Sequence, residues 1–191
     1  MRPGRHSYGW PVRVIGGRSR GRRLTAHLPV SVRPTGDRVR EAVFDILGSM
    51  GGVDDLHVLD LFCGSGAYGV EALSRGAASA TFVDSDSAAL DAVRANLTAV
   101  GLAGEPSTLV RADVATWLER TSQFDLAFCD PPYVFGDWDR LFALLRADVG
   151  VLESKDPISV PEGWQLARAR RYGGTLVTVV RQSPSPSAVR L

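Results

Sequence analysis

The sequence predicts an α/β domain: an open, mostly parallel β-sheet with helices on both faces and a small basic β extension at the N-terminus. Three observations carry this. From residue 56 onward, short apolar runs bounded by turn residues alternate with stretches of helical periodicity, the pattern of βαβ units. The first run leads into a glycine-rich turn, Asp60-Leu61-Phe62-Cys63-Gly64-Ser65-Gly66, of the kind that brings backbone close to a ligand between a strand and a helix. Charge is also segregated. Residues 1–40 hold ten arginines and one acid, Asp37, a balance of +9, whereas residues 41–191 carry −8.

The elements follow in order. Residues 12–15 and 22–26 read as short strands around Gly16, Gly17 and Gly21. Val39, Val43, Ile46, Leu47 and Met50 recur with a helical period and predict an amphipathic helix that ends at Gly51-Gly52. Strands are expected over His57–Phe62, Ala80–Val83, Thr108–Arg111 and Phe124–Cys129, with helices near 67–75, 86–100 and 114–120. A helix near 138–147 and a strand around 149–153 come next. Trp164–Arg170 and Thr175–Arg181 flank Gly173-Gly174 as an antiparallel hairpin at the sheet edge. Ser183-Pro184-Ser185-Pro186-Ser187 has the composition of a disordered tail. The expected division is a basic extension over 1–32, a domain over 33–182 and a disordered tail over 183–191.

Composition excludes several classes. No apolar run reaches about 18 residues, so no transmembrane helix is expected. The basic N-terminus lacks the apolar stretch of a secretory signal. Cys63 and Cys129 form neither a disulfide framework nor a metal cluster. His6, His27 and His57 are scattered, and no Ser/His/Asp set is present. A cytoplasmic, membrane-free, metal-free monomer is the expectation. The basic segment on an acidic body suits a protein that grips a polyanion while doing chemistry elsewhere. Arg13, Arg18, Arg20, Arg22, Arg23, Arg33 and Arg38 are the candidate contacts to that polyanion. The apolar residues woven among them, Val12, Val14, Ile15 and Leu24, argue against a merely solvated tail.

In doubly wound sheets, ligands sit at the carboxyl ends of the strands. Asp60, Phe62, Gly64 and Gly66 lie on that edge after the first strand. Asp84 follows the second, 24 residues after Asp60, where a carboxylate can accept from ribose hydroxyls. Of Asp84 and Asp86, one is the ligand and the other caps the helix from Ser87. Asp113, with Val114 beside it, follows the third strand, where an acid can meet an adenine amine. The glycine pattern also matches a dinucleotide fingerprint if Gly69 is the third glycine. Asp60 counts against that, because it would repel a pyrophosphate yet could pair with a cationic amino-acid end.

Asp130-Pro131-Pro132-Tyr133 is the most informative tetrapeptide. The lone pair of an aromatic exocyclic amine is delocalised into its ring. Acceptors aimed at the amine hydrogens, the Asp130 carboxylate and the Pro131 carbonyl, would turn that lone pair toward an electrophile. Successive prolines fix φ and remove donors, so the loop is stiff before substrate arrives. Tyr133 offers a face on which an extruded base can stack.

Val58–Ala77 together with Asp130–Tyr133 resembles a class I S-adenosylmethionine-dependent methyltransferase of the amino-methylating kind. Arg13–Leu24, Arg33–Phe44, Phe62–Gly66 and Gly69–Gly76 narrow the resemblance to the bacterial RsmD family, the guanine-N2 methyltransferases of small-subunit (16S) rRNA. The resemblance implies a Rossmann-like seven-stranded sheet, S-adenosyl-L-methionine as cofactor, and rRNA as partner within an assembled or assembling ribosomal subunit. It places Asp60, Gly64, Gly66, Asp84 and Asp113 in the cofactor site and Asp130, Pro131, Pro132 and Tyr133 in the acceptor site. A DNA or RNA adenine-N6 methyltransferase would share both loops. An NAD-dependent oxidoreductase would share the glycine pattern. A non-catalytic RNA-binding module would use the basic segment alone.

Overall fold

The computed structural model describes residues 12–25 and 36–184. Its elements are α1 (Asp37–Ser49), β1 (His57–Leu61), α2 (Ala67–Ser74), β2 (Ser79–Asp84), α3 (Ser87–Ala99), β3 (Ser107–Arg111), α4 (Val114–Leu118), β4 (Phe124–Cys129), α5 (Trp138–Leu144), β5 (Ala147–Ser154), β6 (Trp164–Tyr172) and β7 (Thr175–Gln182). They form one seven-stranded sheet in the order β3-β2-β1-β4-β5-β7-β6. The first five strands pair in parallel, and β7 runs antiparallel to both β5 and β6. This is the mostly parallel sheet that the alternating pattern predicts.

Alternation along the strands assigns the two faces. Val58, Leu126, Phe128, Val151, Val177 and Val179 pack against α1 and against Tyr68 and Ala72 of α2. Leu59, Leu61, Ala127, Cys129, Leu152 and Val180 face α4 and α5. A third cluster joins Phe82 and Ala80 to α2, α3 and the N-terminal segment. Strands buried on both faces read as continuous apolar runs, which is why β1 and β4 stand out in the sequence.

One boundary differs from expectation. The helix expected to reach 147 ends at Leu144, because Ala147 already pairs with Phe124 and the Phe124 N–H donates to the Arg146 carbonyl at 2.9 Å. Strand pairing claims the residues that helical periodicity would have continued through. Within the terminal hairpin, the later strand β7 lies inside and β6 forms the edge. Thr175, Val177, Val179 and Val180 are buried, whereas all of β6 between Trp164 and Tyr172 is exposed.

Residues 12–25 form the expected short antiparallel pairing, with a bridge between Arg13 and Arg23. The segment does not stand apart from the domain. Val14 and Leu24 are buried in the third cluster, and the Arg18 N–H donates to the Ser74 carbonyl at 2.8 Å. A side chain on Gly17 would place Cβ 1.8 Å from that carbonyl, at a φ of +73°, so only glycine lets the turn lie this close. Arg33, His6, His27 and residues 185–191, with most of the expected tail, fall outside the described residues.

Candidate active site

The order of the sheet puts β1 between β2 and β4, so the chain reverses its winding direction there. A crevice opens at such a switch point, beyond the carboxyl ends of the strands. The loops after β1, β2 and β4 all reach it.

Gly66, the N-cap of α2, has a φ of +76°. A Cβ there would point into the core, 2.8 Å from Val93 Cγ2 and 3.1 Å from Phe82 Cε1. Glycine at this position therefore serves loop–helix packing, and a larger residue would displace the loop from within. Buried Asn96 of α3 pins the same loop by donating to the Ser65 carbonyl at 2.9 Å. Asp84 accepts from the Gly64 N–H at 3.0 Å through Oδ2 and from the Asp86 N–H at 2.9 Å through Oδ1. Asp86 caps α3 by accepting from Ala88 N at 2.9 Å. That resolves the pair of acids: Asp86 caps, and Asp84 faces the glycine loop.

Asp60 is buried and accepts from the Gly69 N–H of α2 at 2.9 Å. Burial pushes its carboxyl well above the ordinary range, the Gly69 bond offsets part of that, and Asp130 and Asp84 raise it further. The neighbouring thiols sense the same charges. Burial first, then Asp60 and Asp84, push up Cys63. Burial, then Asp60 and Asp130, push up Cys129. Asp60 of β1, Asp84 of β2 and Asp130 just after β4 thus lie close enough to feel one another, which further favours the protonated form of buried Asp60.

Asp113 serves a local role in this geometry. Its Oδ1 accepts from both the N–H and the hydroxyl of Thr116 at 2.9 Å, capping α4, and these bonds lower its pKa. Val114 packs into the cluster beneath α4.

Residues 12–181 match the family described as Conserved hypothetical protein 95. The chain is 33% identical to ribosomal RNA small subunit methyltransferase D of Haemophilus influenzae, over 85% of this chain and 89% of that protein. The protein of the same name from Escherichia coli K12 is 33% identical over 91% of each. The chain belongs to the RsmD family. The solved structure of yhhF from Escherichia coli superposes with a TM-score of 0.79 at 33% identity, covering 92% of this chain and all of that one.

In this RsmD-family chain, the loop after β4 carries the tetrapeptide. Asp130 is half-buried, Pro131 is buried, and Pro132 and Tyr133 are exposed. The Phe135 N–H donates to the Pro132 carbonyl at 2.8 Å, closing a turn. Phe62, held at a φ of +54°, meets the edge of Phe135 at 5.5 Å between centroids, and Phe135 meets Trp138 at 5.0 Å. This aromatic line joins the loop after β1 to the loop after β4. A left-handed φ at a bulky aromatic is strained, and the strain sits where the two loops meet.

Beside the tetrapeptide lies a cavity of about 100 Å³, walled by Pro131, Pro132, Tyr133, Phe135 and Trp138 on one side and by Glu153 to Ile158 on the other. The second wall falls within residues 134–160, the stretch expected from sequence to form the substrate pocket, though none of its residues was singled out there. Its one signal is Glu153, an acid at the end of an apolar strand. The basic segment spends part of its charge internally. Arg18 pairs with Glu105 at 2.6 Å, Arg13 pairs with Asp37 at 3.4 Å, and Arg22 donates to the Val100 carbonyl at 2.7 Å. Arg20, Arg23 and Arg38 are exposed.

Proposed function

We propose that this chain transfers a methyl group from S-adenosyl-L-methionine to the N2 amine of a guanine in small-subunit (16S) rRNA. The observation that carries this is the placement of Asp130–Tyr133 at the end of β4 beside the Gly64–Gly66 loop at the end of β1, two strands paired directly in the sheet. Methyl donor and acceptor amine would thus meet in one crevice.

The residues present fit the donor. Half-buried Asp84 and Asp130 at the strand ends, with buried Asp60 behind them, suit a ligand carrying an ammonium and a sulfonium and disfavour the pyrophosphate of a dinucleotide. When bound, S-adenosyl-L-methionine supplies an electrophilic methyl group. Asp84 is the acceptor for the ribose hydroxyls, its orientation fixed by Gly64 and Asp86. Asp60 faces the amino-acid end. Asp113 and Val114 border the adenine side. Pro131 and Asp130 hold the acceptor amine, so that its lone pair points across the cleft. Asp130 would take up the amine's surplus proton along that hydrogen bond as the methyl group exchanged its bond to the sulfonium sulfur, left as a neutral thioether, for one to nitrogen. Tyr133, 56% exposed, is placed to stack on a base drawn out of its helix. The exposed arginines Arg20, Arg23 and Arg38 face the RNA, and Arg33 belongs to the same basic segment. Small-subunit rRNA, assembled or assembling, is the partner, and the enzyme works in the cytoplasm as a monomer.

Incubation with labelled S-adenosyl-L-methionine and unmethylated small ribosomal subunits, followed by nucleoside analysis, tests the proposal. N2-methylguanosine is the expected product. N6-methyladenosine would transfer the assignment to the adenine class. NADH binding without any response to the methyl donor would overturn the cofactor.

A further inference from the structure

Strand β5 ends beside β4 in a register that pairs Cys129 with Leu152. The residue after each of these is an acid: Asp130, the first beyond β4, and Glu153, still within β5. Glu153 lies two residues beyond Val151 of the α1–α2 face, so it points to that face, and the charge of Asp130 reaches Tyr68 there. Tyr68 of α2 stacks on Phe128 at 4.5 Å between centroids and donates its hydroxyl to Glu153 Oε1. Glu153 is 5% exposed and lines the cavity beside Pro131 and Tyr133. An acid at the end of an apolar strand, clamped by a buried phenol and facing the acceptor cavity, is costly to keep unless its charge is used.

Resting on the proposed guanine-N2 activity, we propose that Glu153 is the specificity-determining carboxylate of the acceptor site: it accepts the ring N1–H of guanine while Asp130 and the Pro131 carbonyl hold the adjacent amine. The base edge supplies the argument. Guanine presents N1–H and N2–H donors side by side, and two adjacent carboxylates complement two adjacent donors. Adenine presents a bare acceptor at N1, which a carboxylate repels. The tetrapeptide alone does not discriminate between these edges, whereas a second carboxylate from β5 does. Tyr68 fixes the Glu153 rotamer through its hydroxyl and acts as its positioning residue.

The experiment compares rRNA carrying guanine or 2-aminopurine at the position the wild type modifies, supplied free or in reconstituted subunits according to which form the wild type accepts. 2-Aminopurine keeps the exocyclic amine and lacks the N1–H. The wild type is expected to prefer guanine by about tenfold or more in kcat/KM, since a site built to accept a hydrogen bond rejects an analogue without the donor. In Glu153→Gln, whose amide can donate to a bare N1, the preference should shrink to within about threefold, with guanine turnover reduced and S-adenosylhomocysteine affinity unchanged. Equal losses on both bases, with the ratio preserved, would show Glu153 to be only a brace for Tyr68 and would overturn the proposal. Parity between the two bases in the wild type would overturn it even if the variant failed to fold. Absence of N2-methylguanosine from the wild-type reaction on guanine is a different outcome, the failure of the underlying activity.

Discussion

Arg40 Nε lies 3.8 Å from Glu71 Oε2, and both side chains are 1% exposed. Glu71 also accepts from the backbone N–H groups of Ile15 and Gly16, each at 2.7 Å, and from Arg75 Nε at 2.7 Å. One carboxylate on α2 therefore holds the N-terminal segment, α1 and its own helix together. Arg40 in turn donates through Nη2 to the Arg13 carbonyl and to Asp37 Oδ1.

Removing that carboxylate should be severe. Glu71→Ala would take from the buried Arg40 guanidinium the carboxylate beside its Nε, leaving it Asp37 and the Arg13 carbonyl through Nη2 alone, while its Nε and Nη1 make no hydrogen bond among the described residues. Breaking a buried pair in this way costs roughly 3–5 kcal/mol, a fall in Tm on the order of 10 °C for a domain of this size. Thermal and urea denaturation measure it. A loss below about 1 kcal/mol would place the pair with weak surface bridges.

Asp60 gives a pH dependence of opposite character. Its folded-state pKa lies well above the ordinary value of 3.8 because of burial. The folded state thus keeps a proton that the unfolded chain releases, so stability present at and below the ordinary pKa is lost as pH rises through the folded value. Asp60→Asn keeps an acceptor for the Gly69 N–H and removes the charge. The variant should gain on the wild type as pH rises from about 4 to 8, while binding S-adenosyl-L-methionine more weakly. Denaturation midpoints across that range decide it: an advantage independent of pH, or a deficit at pH 8, would show that burial of the charge is not what costs stability.

Most of the sheet was legible in the sequence because β1, β2 and β4 are buried on both faces and bounded by turn residues. The glycine loop after β1 was legible because glycines and acids fall at strand ends. Three things were not. Asn96 holds the glycine loop from a helix 31 residues away in sequence, and its only trace is a polar residue within an apolar helical stripe. The second wall of the acceptor cavity comes from the chain after β5, which approaches Asp130 only because β4 and β5 pair. The packing of residues 12–25 depends on Glu71, and no local pattern connects an acid on α2 with backbone N–H groups 55 and 56 residues upstream.

That packing changes how the basic segment should be tested. Deleting residues 1–30 would remove buried Val14 and Leu24 along with the arginines, and would unsettle α2 through Glu71. Charge reversal at exposed positions separates binding from folding. Arg20→Glu with Arg23→Glu should leave Tm within about 2 °C, since exposed positions contribute little to stability. RNA affinity should weaken, and the slope of log K against log salt should fall by about one unit per lost phosphate contact. Unchanged affinity and slope would remove these two arginines from the RNA interface.

The acceptor loop makes the last prediction, because its parts should fail in different ways. Asp130 is proposed to hold the amine and not the cofactor, so Asp130→Ala should lose turnover by a factor of about 100 or more while S-adenosyl-L-methionine affinity stays within a few fold. The margin on cofactor affinity is informative, since Asp130 also raises the pKa of Asp60. Removing its charge relaxes the cofactor side slightly and should not abolish binding there. Tyr133 is exposed, and its proposed partner is the face of a base, worth about 1–3 kcal/mol in stacking. Tyr133→Ala should therefore lower kcat/KM by roughly 5- to 150-fold, and Tyr133→Phe, which keeps the ring, should stay near wild type. Calorimetric titration of the cofactor beside steady-state methylation of unmethylated subunits reads out all three variants. If Asp130→Ala folds but loses the cofactor, the carboxylate belongs to the donor side of the cleft. If Tyr133→Phe falls as far as Tyr133→Ala, the hydroxyl carries the role here assigned to the ring.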